Sequence, residues 1–151
     1  AARLLDRFKP SDPITGEEIA AIHGFLKLKL APLWQACSDY SCTELVGSSG
    51  AFDSLVEMIH GEIGGEPLEE FKSEYTLNFD KYQAISERIL KSDLEERRRI
   101  KGLVAIRLDM IVISCLMVDL ILKELGLKSI RVSTYSLKEG ALVDYLENKY
   151  I

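Results

Sequence analysis

Apolar positions recur at helical spacing through most of this chain, and short extended runs interrupt them at a few places. Thr15, with Glu18 three residues on, forms a capping box that opens a helix, and Ile19, Ile22, Leu26 and Leu30 make its inward stripe. Pro32 restarts that helix, with Trp34 in the turn that follows. Phe52, Leu55, Val56 and Ile59 line one face of a second helix. Asn78 caps a third that runs through Lys91, with Phe79, Tyr82, Ile85 and Ile89 inward. Ser92 with Glu95 reads as another capping box, starting a short charged helix. The most apolar stretch, Leu108 to Leu122, lies in a helix from about Leu108 to Leu125 that ends at Gly126, a favoured residue just past a helix end. It contains Asp109 and Asp119 and falls short of the roughly 20 residues of a membrane span, so it reads as a buried central helix. A last helix covers Leu137 to Asn148. Pro10 and Pro13 mark residues 1–14 as an N-terminal arm, leaving 15–151 as a single domain.

The extended runs are Glu44–Val46 and Ile130–Ser133, each followed by a helix, which predicts two parallel strands; Tyr75–Leu77 is a third short extended piece. Gly61–Pro67 breaks the pattern. The expected fold is mostly α with a small parallel β remnant: two short strands among five to seven helices. Two strands are too few for a stable sheet.

Composition changes little in this picture. The 151 residues are 47% hydrophobic and 28% charged, as in ordinary globular domains. A net charge of -5 argues against a nucleic-acid binder, so any polyanion must meet a local basic patch. Cys37, Cys42 and Cys115 are odd in number and irregular in spacing, which fits a reducing, cytoplasmic setting; with His23 and His60 they form no metal-ligand pattern.

Candidate chemistry begins at Gly47-Ser48-Ser49-Gly50, where the first strand turns into a helix. The glycines let backbone approach a ligand, the serines offer hydroxyls, and the helix start aims free N–H groups at the same spot. A phosphate site and a simple tight turn both fit. Arg107 and Asp109 open the central helix, Arg107 to steer a polyanion or Asp109 to complement the dipole. Ser133, Lys138, Glu139 and Gly140 follow the second strand at its carboxyl end, where open α/β sheets bind ligands; Glu139 fits a helix cap equally well. Arg97-Arg98-Arg99 with Lys101 is the one basic run; it invites a polyphosphate patch, but the preceding Glu95 and Glu96 favour a solvated, salt-bridged face. Tyr75, Phe79 and Tyr82 read as core, His23 and His60 as structural, and Cys115 as inert.

Three stretches in order resemble the exopolyphosphatase and guanosine pentaphosphate phosphohydrolase family of the actin-like ATPase superfamily. They are Leu45-Val46-Gly47-Ser48-Ser49-Gly50-Ala51-Phe52, Ile106-Arg107-Leu108-Asp109-Met110-Ile111, and Ile130–Leu142 with its Leu137-Lys138-Glu139-Gly140 signature. Lys138 stands where the family has arginine, Ser136 where glycine is common, and Leu108 where a small residue is usual.

The resemblance implies a partial ribonuclease H-like, actin-type domain, matching the later half of the family's C-terminal domain. The family's Asp-x-Gly-Ser-Asn and Asp-Ile-Gly-Gly-Gly-Ser loops do not occur here. No catalytic residue is therefore expected in this chain; catalysis and Mg2+ are expected in a parent protein with the missing N-terminal domain. Polyphosphate or guanosine phosphates are the implied ligands, met by Gly47, Ser48, Ser49, Gly50, Arg107, Ser133, Lys138, Glu139 and Gly140. The segment alone is expected to be inactive. The divergent positions leave open a non-catalytic nucleotide- or polyphosphate-binding module, or a helical interaction domain. An incomplete sheet with open edges makes a homodimer an expectation too.

Overall fold

The computed structural model describes residues 1–63 and 72–148. In chain order the helices are α1 (Ala2–Phe8), α2 (Gly16–Lys29), α3 (Ala31–Asp39), α4 (Gly50–Ile63), α5 (Phe79–Lys91), α6 (Leu94–Arg98), α7 (Met110–Leu125) and α8 (Leu137–Asn148). The strands are β1 (Leu45–Ser48), β2 (Glu74–Leu77) and β3 (Ile130–Ser133). Residues 105–107 make one 3-10 turn before α7.

Because α7 is apolar on every side, it must be covered on every side. Ile111, Val112, Cys115, Val118 and Leu122 pack with α4, α5 and the sheet. Ile113, Leu116 and Leu120 pack with Leu4 of α1 and with Ile22 and Leu26 of α2. Each such leucine or isoleucine contributes about 1.5–3 kcal/mol when buried. One helix thus joins two cores. Within the expected N-terminal arm, residues 2–8 form a helix whose Leu4 is buried against α7. No helix among the described residues is long and apolar enough to cross a membrane.

Helix ends follow local chemistry. Thr15 and Glu18 form the expected capping box, and Glu18 also accepts from the Ser11 N–H (2.8 Å) and hydroxyl (2.6 Å). These donors carry the Glu18 carboxyl down to about 2, the Ser11 hydroxyl most strongly. The second capping box lies one residue later than expected, at Asp93 and Glu96, because the Ser92 hydroxyl turns back to the Ile89 carbonyl (2.8 Å) to close α5. Trp34 lies inside α3, and its indole N–H donates to the Lys27 carbonyl (3.1 Å). At Gly61 α4 continues to Ile63; residues 64–67 of the expected break lie outside the described residues. Gly102, at φ +85, is fixed by crowding: a Cβ there would sit 2.5 Å from the Glu57 backbone.

The sheet has three strands in the order β1-β3-β2. β1 runs parallel to β3, pairing Leu45 with Ile130 and Ser48 with Ser133. The Tyr75–Leu77 piece is a true strand, antiparallel to β3, so the sheet is mixed. Gly47 and Ser48 extend β1 beyond the expected Val46. Ile130, Val132 and Leu77 face the core, while Arg131 on the other face pairs with Glu44 and Glu74 across the strands.

The basic run departs from expectation as well. Arg97 is buried: its Nε donates to the Leu108 carbonyl (2.9 Å), and its Nη1 to the Ser92 carbonyl (2.6 Å) and the Asp12 carboxylate (2.7 Å). Asp12 also accepts from the Leu94 N–H (2.8 Å), tying the N-terminal loop to the start of α6. Arg98, Arg99 and Lys101 match the solvated reading: all three are exposed, and Arg98 pairs with Glu95.

Candidate functional site

A cavity of about 390 Å³ opens at the carboxyl end of β1. Ser48, Ser49 and Gly50 form one wall, Arg107 and Ser114 another, and Ala51, Phe52, Met110 and Ile111 complete it, with Ala1 and Ala2 at the rim. Two widely separated sequence candidates, the serine loop and Arg107, therefore meet in one place.

Local structure explains the arrangement. Ser49 adopts φ 64, the left-handed conformation that turns a strand into a helix within one residue, and its carbonyl accepts from the Phe52 (2.9 Å) and Asp53 (3.3 Å) N–H groups. The cavity is lined by the first turns of both α4 and α7. The first N–H groups of a helix have no partner within it and carry partial positive charge. Asp109 precedes α7, where its charge complements the dipole, and makes no side-chain cap hydrogen bond. Two helix starts and one guanidinium converge on a space that favours an anion.

Arg107 is held in place by Ser54, a residue that sequence reasoning missed. Ser54 is fully buried in α4, and its hydroxyl accepts from Arg107 Nη1 at 2.8 Å. A small polar residue on the apolar face of α4, beside Ala51 and Leu55, is the only signal the sequence carries for it. Ser114 was missed too; its hydroxyl donates to the Met110 carbonyl one turn back (3.0 Å).

The other candidates divide. Gly47 lies behind the cavity, where the Phe52 ring packs so closely that a Cβ would sit 2.3 Å from it. Gly50 has open space around its Cα. Ser133 sits opposite Ser48 in the sheet, but its hydroxyl accepts from the Tyr135 N–H (3.2 Å) in its own loop and does not line the cavity. Lys138, Glu139 and Gly140 are in the first turn of α8, also outside the lining. Glu139 is engaged as a cap, accepting from the Ser136 N–H (2.8 Å) and hydroxyl (2.7 Å), and these bonds hold its carboxyl down at about 2. Lys138 pairs with Glu139 at 3.3 Å.

A larger cavity, about 930 Å³, lies between α5, the end of α7 and the Pro13–Ile19 segment. Glu87, Lys91, Lys123 and Lys128 line it together with Asp119, which accepts from the Tyr82 hydroxyl (2.5 Å) and the Ser86 hydroxyl (2.7 Å). None of the sequence candidates lines it, so size does not decide between the two. Burial and the nearby Asp119 push the Tyr82 hydroxyl far up, and burial pushes the Cys115 thiol up to about 12. His23, beside Asp119, is held below its usual value by burial.

Comparison with known proteins follows the same line. A model of the Ppx/GppA phosphatase family matches residues 1–149. Among solved structures, an exopolyphosphatase from Cytophaga hutchinsonii is 33% identical over 97% of this chain and 47% of its own, with a TM-score of 0.90. A Ppx/GppA family member from Aquifex aeolicus is 20% identical over 98% of this chain and 46% of its own, at TM-score 0.74. An exopolyphosphatase-like protein is 18% identical over 95% of this chain and 47% of its own, at TM-score 0.79. The last two speak for the fold alone. The chain spans about half the length of the structures it matches. No curated protein matches it in sequence.

Proposed function

The chain belongs to the Ppx/GppA phosphatase family, and from that premise we propose that it supplies one wall of a phosphate-binding cleft in a hydrolase of phosphoanhydride bonds. The ligand is inorganic polyphosphate or a guanosine phosphate such as guanosine pentaphosphate. One observation carries the reading: the serine loop, two helix starts and Arg107 share a single cavity.

The roles follow from the chemistry. Backbone N–H groups at the starts of α4 and α7 and the Ser48 and Ser49 hydroxyls donate to phosphoryl oxygens. The Arg107 guanidinium, fixed by Ser54, adds a charge-assisted contact. These groups bind and orient the phosphate chain; activation of water falls to the parent's other half, so this chain alone releases no phosphate.

Magnesium, which the resemblance implies, does not fit the residues present. The cavity is lined by hydroxyls and a guanidinium without a carboxylate. Among the described residues, no group of three or more His, Cys, Asp or Glu side chains is placed to hold a metal. No step is assigned to magnesium here. The rest of the parent is also the natural neighbour of β1, whose outer edge has no strand paired to it among the described residues; a homodimer through that edge is the competing arrangement.

Titration of the chain with polyphosphate of defined length tests the reading. Binding should weaken with added salt and fall about tenfold or more for Arg107→Ala, the loss of one charge-assisted contact. Equal affinity for wild type and Arg107→Ala, or no binding by either, would sink it. A non-catalytic polyphosphate-binding module gives the same titration and is separated by phosphate release: the parent enzyme turns polyphosphate over, and the module does not.

A further inference from the structure

The end of α3 carries a cysteine pair that the phosphate cleft does not use. The helix stops in a Schellman arrangement. The Cys42 N–H reaches back five residues to the Cys37 carbonyl (3.3 Å), the Ser41 N–H reaches the Ser38 carbonyl (3.4 Å), and Ser41 takes the left-handed φ of 50 that the motif requires. In this motif the residues at the two ends of the longer bond bring their side chains together. Here those residues are both cysteines, Cys37 and Cys42. Cys42 is exposed and Cys37 half-buried, so one sulfur is open to reagents and the other waits behind it. Cys115, in the core of α7, takes no part.

We propose that Cys37 and Cys42 are a thiol–disulfide exchange site that a small-molecule disulfide oxidises to an intramolecular bond. The Cys42 thiolate attacks one sulfur of the small disulfide, whose S–S bond breaks and releases one thiolate. The Cys37 thiolate then attacks the Cys42 sulfur of the mixed disulfide, forms the Cys37–Cys42 bond and expels the second thiolate. Two electrons pass from the pair to the reagent, and the two protein thiol protons end on the two released thiols. Burial and the Cys42 thiol hold the Cys37 thiol above its ordinary value, so the exposed Cys42 acts first. The bond locks the turn that delivers the chain, after Thr43 and Glu44, into β1 and the serine loop.

The test is oxidised glutathione on the folded chain, followed by alkylation under native conditions and intact-mass analysis. Wild type should lose two hydrogens, keep no glutathione and resist alkylation at both surface thiols. Cys37→Ser should hold glutathione on Cys42, with at least about tenfold more adduct than wild type, because the resolving thiol acts at high effective concentration. Cys42→Ser should take up little glutathione. Wild type that retains the adduct as long as Cys37→Ser does, or stays fully alkylatable after treatment, would overturn the assignment.

Discussion

Replacing Gly47 with alanine puts a methyl group where the Phe52 ring already sits. A Cβ at Gly47 would lie 2.3 Å from Phe52 Cδ1 and Cε1 and 2.4 Å from Cγ, while carbon atoms pack at about 3.5–4.0 Å. The ring must therefore retreat by more than about 1 Å. The strand cannot yield in its place, because Gly47 is held opposite the buried Val132 in the β1–β3 register. Phe52 is half-buried and lines the smaller cavity, so the ring moves into that space. Overpacking of this kind costs about 1–3 kcal/mol, and the displaced ring also obstructs the anion site. The assay is urea unfolding, followed by far-UV circular dichroism, on wild type, Gly47→Ala, Phe52→Ala and the double variant. Gly47→Ala should cost about 1–3 kcal/mol alone and less than about 1 kcal/mol once the ring is gone. The same cost in both backgrounds would refute the argument, since the glycine would then be required for something other than room for Phe52.

Neighbouring arginines should behave differently in thermal melts. Arg97→Ala should cost about 2–4 kcal/mol, because it strands the Leu108 and Ser92 carbonyls and unpairs Asp12. Arg98→Ala, on an exposed face, should stay within about 0.5 kcal/mol, and similar losses at both positions would contradict the burial of Arg97. Stability should also fall in acid in two stages. The folded-state pKa of His23 lies below 6.5, so its neutral form favours folding and that contribution starts to drain as pH drops below 6.5. Glu18 and Glu139, moved from 4.5 to about 2, contribute fully above pH 4.5, and their share is lost as pH falls toward 2. A Glu18→Gln, Glu139→Gln double variant should flatten the lower stage in an acid titration by circular dichroism; an unchanged lower stage would count against the two caps.

Much of this structure is legible in the sequence where local chemistry decides. The Thr15–Glu18 box, Asn78, Gly126 and the span of α8 could be read because caps and turns act over a few residues. What could not be read depends on distant partners. α1 has seven residues and no side-chain cap; it is a helix because Leu4 finds α7. Arg97 sits in a charged run that looks solvated, and only the fold brings Asp12 and Leu108 to it. β2 becomes a strand because β3 offers an open edge. In the candidate site, the serine loop was visible from its glycines and serines. Its partnership with Arg107 was visible only through the family's order of motifs, and Ser54 lay hidden as one serine on an apolar face.

The position of β3 has a consequence for how the chain is made. Among the described residues β1 and β2 each pair only with β3, which lies between them in the sheet and comes after both in the chain. During synthesis the edges of β1 and β2 that face β3 stay unpaired until Ile130–Ser133 has followed. The serine loop at the end of β1 is therefore set late, after α7 has been made. Loop closure of this length is slow and leaves apolar strands exposed meanwhile. A nascent chain stalled before residue 130 should remain a target for chaperones, and release of the last segment should be the event that completes the sheet.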